Sequence, residues 1–424
     1  VKVLVVGNGA REHAIAWKIR QSPLVDEVFV APGNAGTAAI ATNIPVAATD
    51  IEGQARAARE HGVDLTVVGP EVPLAAGIVD CFQEQGLAVF GPTKEAARIE
   101  SSKVFAKELM AKHGIPTGRY EVFDSYDEAC IYVISHDFPL VVKADGLAAG
   151  KGVTVATTEA QAMKALHECL VERVFGEAGD RVLVEECLSG REVSVFAFTD
   201  GETLSPLVAA CDYKLAFDGD KGPNTGGMGS YSPPPFWTAA LEQEVREKIM
   251  EPTVRALAQA GCAYRGVLYG GLMLTEDGPK VIEFNCRLGD PETQVILPRL
   301  ETDLVEILVS IADGTLNKTS IAWSGDSCVG VAMASGGYPG KYITGMSISG
   351  LAEAEAHGLV FHAGTRQGKE EGSNIVTDGG RVLTVVGKGP SLDEARAQAY
   401  EGIAQIRLER GFYRRDIAAG IENH

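Results

Sequence analysis

Short runs of aliphatic and β-branched residues recur through the first quarter of the chain, and each ends in a cluster of Gly, Pro or Asn. Residues 3–6 lead into Gly7-Asn-Gly9, residues 27–30 into Ala31-Pro-Gly-Asn-Ala-Gly36, residues 65–68 into Gly69-Pro-Glu71 and residues 88–90 into Gly91-Pro92. Continuous apolar runs of this length predict parallel strands buried on both faces. A helical pattern over residues 14–19 follows the first run, which predicts the opening of a doubly wound βα unit. Ligands in such sheets sit beyond the carboxyl ends of the strands, so these loops together outline one pocket.

The rhythm changes after Gly114-Ile-Pro116, which stops a helix that starts at Ser101-Ser-Lys103. The apolar runs at 139–143, 153–156 and 181–186 predict a small β-rich lobe, and the alternation over 192–198 predicts a half-buried strand. One helix is expected from 239 to 259, then a hairpin turning at Glu276-Asp-Gly278. The final segment reads as an α+β unit with no catalytic constellation of its own, in which His362 is a structural strand residue. The resulting division is an N-terminal doubly wound α/β domain over 1–120, a small lid lobe over 121–190, a central domain over 191–327 and a C-terminal α+β domain over 328–424.

Composition narrows the class of partner. The 424 residues carry 57 acidic and 38 basic side chains, a formal net charge of −19, which opposes polyanions and predicts no nucleic-acid or membrane partner. The chain opens on a strand-like run with no signal peptide, and no stretch approaches eighteen apolar residues, so the expected location is the cytoplasm. Eight cysteines lie singly, without Cys-x-x-Cys spacing, and read as reduced thiols and not as a zinc site.

Candidate chemistry sits in the loops. After Lys143 comes Ala-Asp-Gly-Leu-Ala-Ala-Gly-Lys-Gly, in which Gly146, Gly150 and Gly152 let backbone N–H groups approach an anion while Lys143 and Lys151 bring charge to it. The spacing is not that of a P-loop. Gly7-x-Gly9 with Arg11 suits a single phosphate at a helix start, since Glu12 stands where a dinucleotide fingerprint needs a small residue. Glu71 either binds ribose hydroxyls or caps a helix. Glu185 and Glu186 alternate across their strand, so only one faces a pocket. The polar, glycine-rich segment 221–231 is long enough to wrap a ligand. Glu283 and Asn285, at i and i+2, project from one face of a strand as ligands of a hard cation such as Mg²⁺. The following run to Glu292 offers Arg287 to a transferring phosphoryl group and carries Asp290 into the same pocket.

The motifs Gly7-Asn-Gly-Ala-Arg-Glu-His13, Lys143-Ala-Asp-Gly-Leu-Ala-Ala-Gly-Lys-Gly152, Gly222-Pro-Asn-Thr-Gly-Gly-Met-Gly229 and Glu283-Phe-Asn-Cys-Arg-Leu-Gly-Asp-Pro-Glu-Thr-Gln294 occur in that order. In this the chain resembles the glycinamide ribonucleotide synthetase family of the ATP-grasp superfamily, nearly end to end. The resemblance implies an ATP-grasp architecture: an N-terminal doubly wound parallel-sheet domain, a central unit with a β-rich lid, and a C-terminal α+β domain. It implies ATP and Mg²⁺ or Mn²⁺ as cofactors, glycine and 5-phosphoribosylamine as substrates, a glycyl phosphate intermediate, a role in purine biosynthesis, and a monomer. By that likeness Lys143, Arg287, Asp212 and Lys214 serve catalysis. Lys103, Lys143, Gly150, Lys151, Glu185, Glu186, Leu188 and Glu192 hold the nucleotide, and Glu283 and Asn285 the metal. Gly9, Arg11, Glu71, Asn224, Thr225, Gly226, Gly227, Arg287 and Asp290 meet phosphoribosylamine, and Asp212 and Lys214 meet glycine. Two departures stand out: Cys211-Asp-Tyr-Lys-Leu215 replaces the expected Gln-Asp-His-Lys-Arg, and residues 267–274 bear no carboxylate. The rival readings are an ATP-grasp carboxylase or ligase acting on another purine intermediate, and a non-catalytic nucleotide-binding regulator.

Overall fold

Five parallel strands build the first sheet of the computed structural model, which describes residues 1–148, 151–368 and 374–421. Their order is Thr42–Asn43, Glu27–Pro32, Lys2–Gly7, Leu65–Val68, Val89–Phe90. Val3 to Val6 are wholly buried, as a strand covered by helices on both faces requires. The strand order reverses beside Lys2–Gly7, so the ligand crevice of this sheet opens between the loops at 7–9 and 69–71.

The lid lobe is a four-stranded antiparallel sheet in the order Tyr120–Phe123, Val182–Glu186, Leu140–Ala144, Val153–Ala156. Helices Tyr126–Ile134 and Glu159–Leu170 supply Ala129, Val133, Ala162 and Leu166 to its core, where they meet Val142 and Val184. Side chains alternate along a strand. Burying the even positions on those helices therefore turns Lys143 and Glu185 to the opposite face of the sheet.

The largest sheet has eight antiparallel strands: Gly278–Asn285, Gly266–Thr275, Arg191–Thr199, Val208–Asp212, Gly229–Ser232, Ser327–Ala334, Arg381–Gly389 and Leu359–His362. Ser327–Ala334 pairs with Gly229–Ser232 on one side and Arg381–Gly389 on the other, so the segment beyond 328 extends the central sheet. The single helix expected over 239–259 is instead two helices, Ala239–Val245 and Glu251–Gln259, joined by a π turn at Arg246–Met250. Pro252 has no N–H to give the carbonyl four residues earlier, which breaks the α-helical ladder there.

Candidate active site

The face that the lobe turns away from its helices carries a buried triad. Glu185 Oε2 accepts from Lys143 Nζ at 3.0 Å and from Lys107 Nζ at 2.9 Å. Its other oxygen, Oε1, is buried with no partner among the described residues, a rare condition for an interior carboxylate and one that a ligand donor would relieve. Lys107 is absent from the sequence reading, although it lies one turn after Lys103 on helix Lys103–His113 and so on the same face. Ser102 caps that helix, accepting from Phe105 N at 3.1 Å. Asp145, in the glycine-rich loop, accepts from Val104 N at 2.8 Å, and Lys103 Nζ donates to the Gly146 carbonyl at 3.0 Å. The root of the phosphate loop is thus tied to the helix bearing both lysines.

Glu283 stands opposite this face on Gly278–Asn285. Burial alone would raise its carboxyl, yet Lys214, Lys143, Lys103 and Arg287 together hold it below the usual carboxylate range. Asp212, at the end of its strand, is the reverse case. Burial pushes it up to about 7, reinforced by Glu292 and Glu192 and opposed by Lys214. Burial would lower Lys214, but Asp212 and Glu192 outweigh it and keep the amine charged; its Nζ pairs with the Glu192 carboxylate. Among the described residues no three His, Cys, Asp or Glu converge as a metal cage. Glu283 and Asn285 nonetheless fit Mg²⁺, which takes few protein oxygens and completes its shell with phosphates and water.

Three segments converge on Arg287. Its Nε donates to Glu71 Oε2 at 3.1 Å and its Nη2 to Glu100 Oε1 at 3.0 Å and Asn285 Oδ1 at 3.2 Å. Glu71 is the first residue of helix Glu71–Ala76, whose cap is Pro70 without a side-chain hydrogen bond, so it does not cap the helix; its carboxylate reaches the arginine instead. Gly9 and Arg11 border the crevice, but the Gly9 N–H donates to Glu12 Oε2 at 2.7 Å and Arg11 Nε to Glu12 Oε1 at 2.5 Å. Glu12 therefore occupies the seat at the helix start that the sequence reading gives to a phosphate. The half capping box Gly-x-x-Glu was the available signal. Asp290 lies beside Gly9, whose added Cβ would stand 3.8 Å from Asp290 Oδ2.

The remaining candidates are placed less centrally. Asn224 is exposed at the end of a two-stranded ribbon, whereas Thr225 N donates to the Lys214 carbonyl at 2.8 Å and so joins the following loop to the Asp212–Lys214 pair. Gly226 and Gly227 are gripped by residues of the last segment: Gly226 N donates to Tyr338 Oη at 2.9 Å, and Arg381 Nη1 donates to the Gly226 and Gly227 carbonyls at 2.6 and 3.2 Å. Glu186 faces away from Lys143 and pairs with Arg119 at 2.9 Å. Leu188 lies at the lobe margin beside Gly118, and Lys151 is exposed. Gly150 falls outside the described residues.

A lysine-lined lobe facing a carboxylate–amide pair across a cleft, beside a doubly wound sheet, defines an ATP-grasp ligase fold. A solved structure of the biotin carboxylase domain of the 2-oxoglutarate carboxylase of Hydrogenobacter thermophilus, in complex with MgADP and bicarbonate, shares that fold at 16% identity and TM-score 0.72, covering 97% of this chain and 91% of that one. The chain belongs to the phosphoribosylglycinamide synthetase family: models of its N domain, ATP-grasp (A) domain and C domain match residues 1–100, 101–293 and 328–420. It is similar to the phosphoribosylamine–glycine ligase of Halalkalibacterium halodurans, 53% identical over 99% of this chain and 97% of the relative. The crystal structure of the phosphoribosylamine–glycine ligase of Thermotoga maritima matches with TM-score 0.86 at 36% identity, covering 98% of this chain and all of that one.

Proposed function

We propose that the protein ligates glycine to 5-phosphoribosylamine at the expense of ATP, giving glycinamide ribonucleotide, ADP and phosphate, a step of purine biosynthesis. The observation that carries the reading is the Glu283 carboxylate faced by Lys103, Lys143, Lys214 and Arg287, with the Asp212–Lys214 pair at its side. The γ-phosphoryl group passes to the glycine carboxylate, and the amine of phosphoribosylamine attacks the glycyl phosphate. The new C–N bond forms as phosphate leaves and the nitrogen loses a proton. Transfer between two anions needs neutralisation and alignment more than acid–base help. Lys103, Lys143 and Arg287 supply fixed positive charge, and Mg²⁺ or Mn²⁺ on Glu283 and Asn285 adds mobile charge when bound.

Other residues take positions around that centre. Glu185 and Leu188 border the adenine, Lys151 covers the phosphates, and Glu192 meets the nucleotide ribose. Asp212 faces the glycine ammonium and Lys214 its carboxylate. Arg11, Glu71, Asp290, Gly9 and residues 224–227 surround phosphoribosylamine. No helix among the described residues is long and apolar enough to cross a membrane, and we assign the protein to the cytoplasm as a monomer. Bicarbonate, the acceptor in the carboxylase reading, has no ammonium to meet Asp212. The test is ADP release from Mg-ATP with glycine and with phosphoribosylamine generated from ribose 5-phosphate and ammonia, omitting each in turn. Release that needs both supports the ligase; release with bicarbonate in place of glycine overturns it.

A further inference from the structure

The last segment reaches the site through two side chains that grip the backbone of one residue from both sides. Gly226 gives its N–H to Tyr338 Oη at 2.9 Å and its carbonyl to Arg381 Nη1 at 2.6 Å. The same guanidinium binds the Gly227 carbonyl at 3.2 Å, the Asp290 carbonyl at 3.3 Å and Asp290 Oδ2 at 2.7 Å. Gln294 Nε2 completes the hold on that carboxylate, donating to Asp290 Oδ1 at 2.8 Å.

The grip depends on missing side chains. A Cβ on Gly226 would stand 3.0 Å from the Arg381 guanidinium, one on Gly227 would strike the Pro291 ring at 2.3 Å, and one on Gly380 would strike the Tyr338 ring at 2.3 Å. Gly227 also holds φ at +108°, a conformation unfavourable for any residue with a side chain. Burial works against charge on Asp290, yet Arg381 first and Arg11 second hold its carboxyl below the usual range. Four donor contacts from one fork-shaped cation, three to backbone carbonyls and one to the Asp290 carboxylate, fix position more than they add charge.

We propose that Arg381, assisted by Tyr338, is a positioning residue for phosphoribosylamine. From the C-terminal segment it sets the register of the 224–227 loop against Asp290, and through both it shapes the side of the site where the acceptor amine enters. It does not touch the nucleotide. The inference rests on the proposed ligase reaction, and it makes the acceptor half of the site a joint product of segments 155 residues apart in the chain.

The test is steady-state kinetics of the full chain with Arg381→Lys, Arg381→Ala and Tyr338→Phe, varying ATP, glycine and phosphoribosylamine separately. Arg381→Ala should raise KM for phosphoribosylamine roughly tenfold to a hundredfold, the range for losing a charged hydrogen bond. KM for ATP and the dissociation constant of a non-hydrolysable ATP analogue should stay within about twofold. Lysine keeps the charge without the fork, so Arg381→Lys should recover little. Tyr338→Phe deletes only a hydroxyl, folds, and should shift the same constant in the same direction, by about three- to tenfold. If the wild type releases ADP with both substrates but Arg381→Ala and Tyr338→Phe leave the KM for phosphoribosylamine unchanged, or move all three KM values equally, the positioning role is wrong. If the wild type itself shows no release, the ligase reading fails first.

Discussion

Lowering the pH from 8 to 6 is expected to weaken glycine binding about tenfold, and Asp212 is the reason. Its carboxyl titrates near 7 in the free protein because burial, Glu292 and Glu192 outweigh the neighbouring Lys214. The ionised form pairs with the glycine ammonium. It makes up about nine tenths of the protein at pH 8 and about one tenth at pH 6, so the competent fraction falls by roughly a factor of nine. Binding should also release a proton: close to one per glycine at pH 6 and nearly none at pH 8, since the bound ammonium favours the charged carboxylate. Titration of ¹³C-glycine by NMR, without nucleotide or metal, gives the affinity at each pH. An indicator dye in weak buffer gives the proton count. Asp212→Asn should bind weakly at every pH and release no proton. A wild-type affinity that is flat from pH 6 to 8 with no proton release would refute the assignment of glycine to Asp212.

Two further outcomes are expected. Glu283→Ala should retain the wild-type melting temperature within a few degrees yet lose turnover by at least about 10³-fold, because it removes a metal-facing carboxylate without emptying the core; activity within tenfold of wild type would exclude Glu283 from the site. His13 and His362 are buried against each other, and the His362 backbone N–H donates to His13 Nδ1 at 2.8 Å. Burial pulls them down to about 3 and about 4, His362 adding to the effect on His13. Each is neutral when folded and protonated when unfolded between those values and about 6.5, so stability is full above pH 6.5 and lost as the pH falls. Urea unfolding should show a loss approaching about 1.4 kcal/mol per pH unit per histidine near pH 5, smaller in His13→Gln; a midpoint constant between pH 6.5 and 4.5 would refute it.

What could be read from the chain and what could not divide along contact distance in sequence. The buried run at residues 3–6 and the opposed faces of Glu185 and Glu186 follow from a two-residue side-chain period, a local property. The spacing of Glu283 and Asn285 is local in the same way. Arg381 and Tyr338 escape such reasoning, because nothing near residue 381 shows that its guanidinium will meet carbonyls at 226 and 227. Lys107 was half visible: its phase on the helix matched Lys103, but only the folded lobe brings Glu185 to it. Glu12 looked like a defect in a phosphate fingerprint, and it is the residue that fills the space beneath Gly7, Gly9 and Gly69, where any added Cβ would meet it at 2.2 to 2.8 Å.

The continuous eight-stranded sheet also bears on how such a protein can be altered. Strand Gly229–Ser232, directly after the glycine-rich loop, finds its outer neighbour only in Ser327–Ala334. A chain cut at 327 would keep both lysines and the metal-facing strand but expose a wholly buried strand as a bare edge, an invitation to pairing with other copies. Active fragments, exchanged C-terminal halves and fusions placed at that junction should therefore aggregate before they fail in catalysis. Insertions are better directed to exposed loop tips such as the hairpin turn at residues 276–277, where no neighbouring strand depends on them.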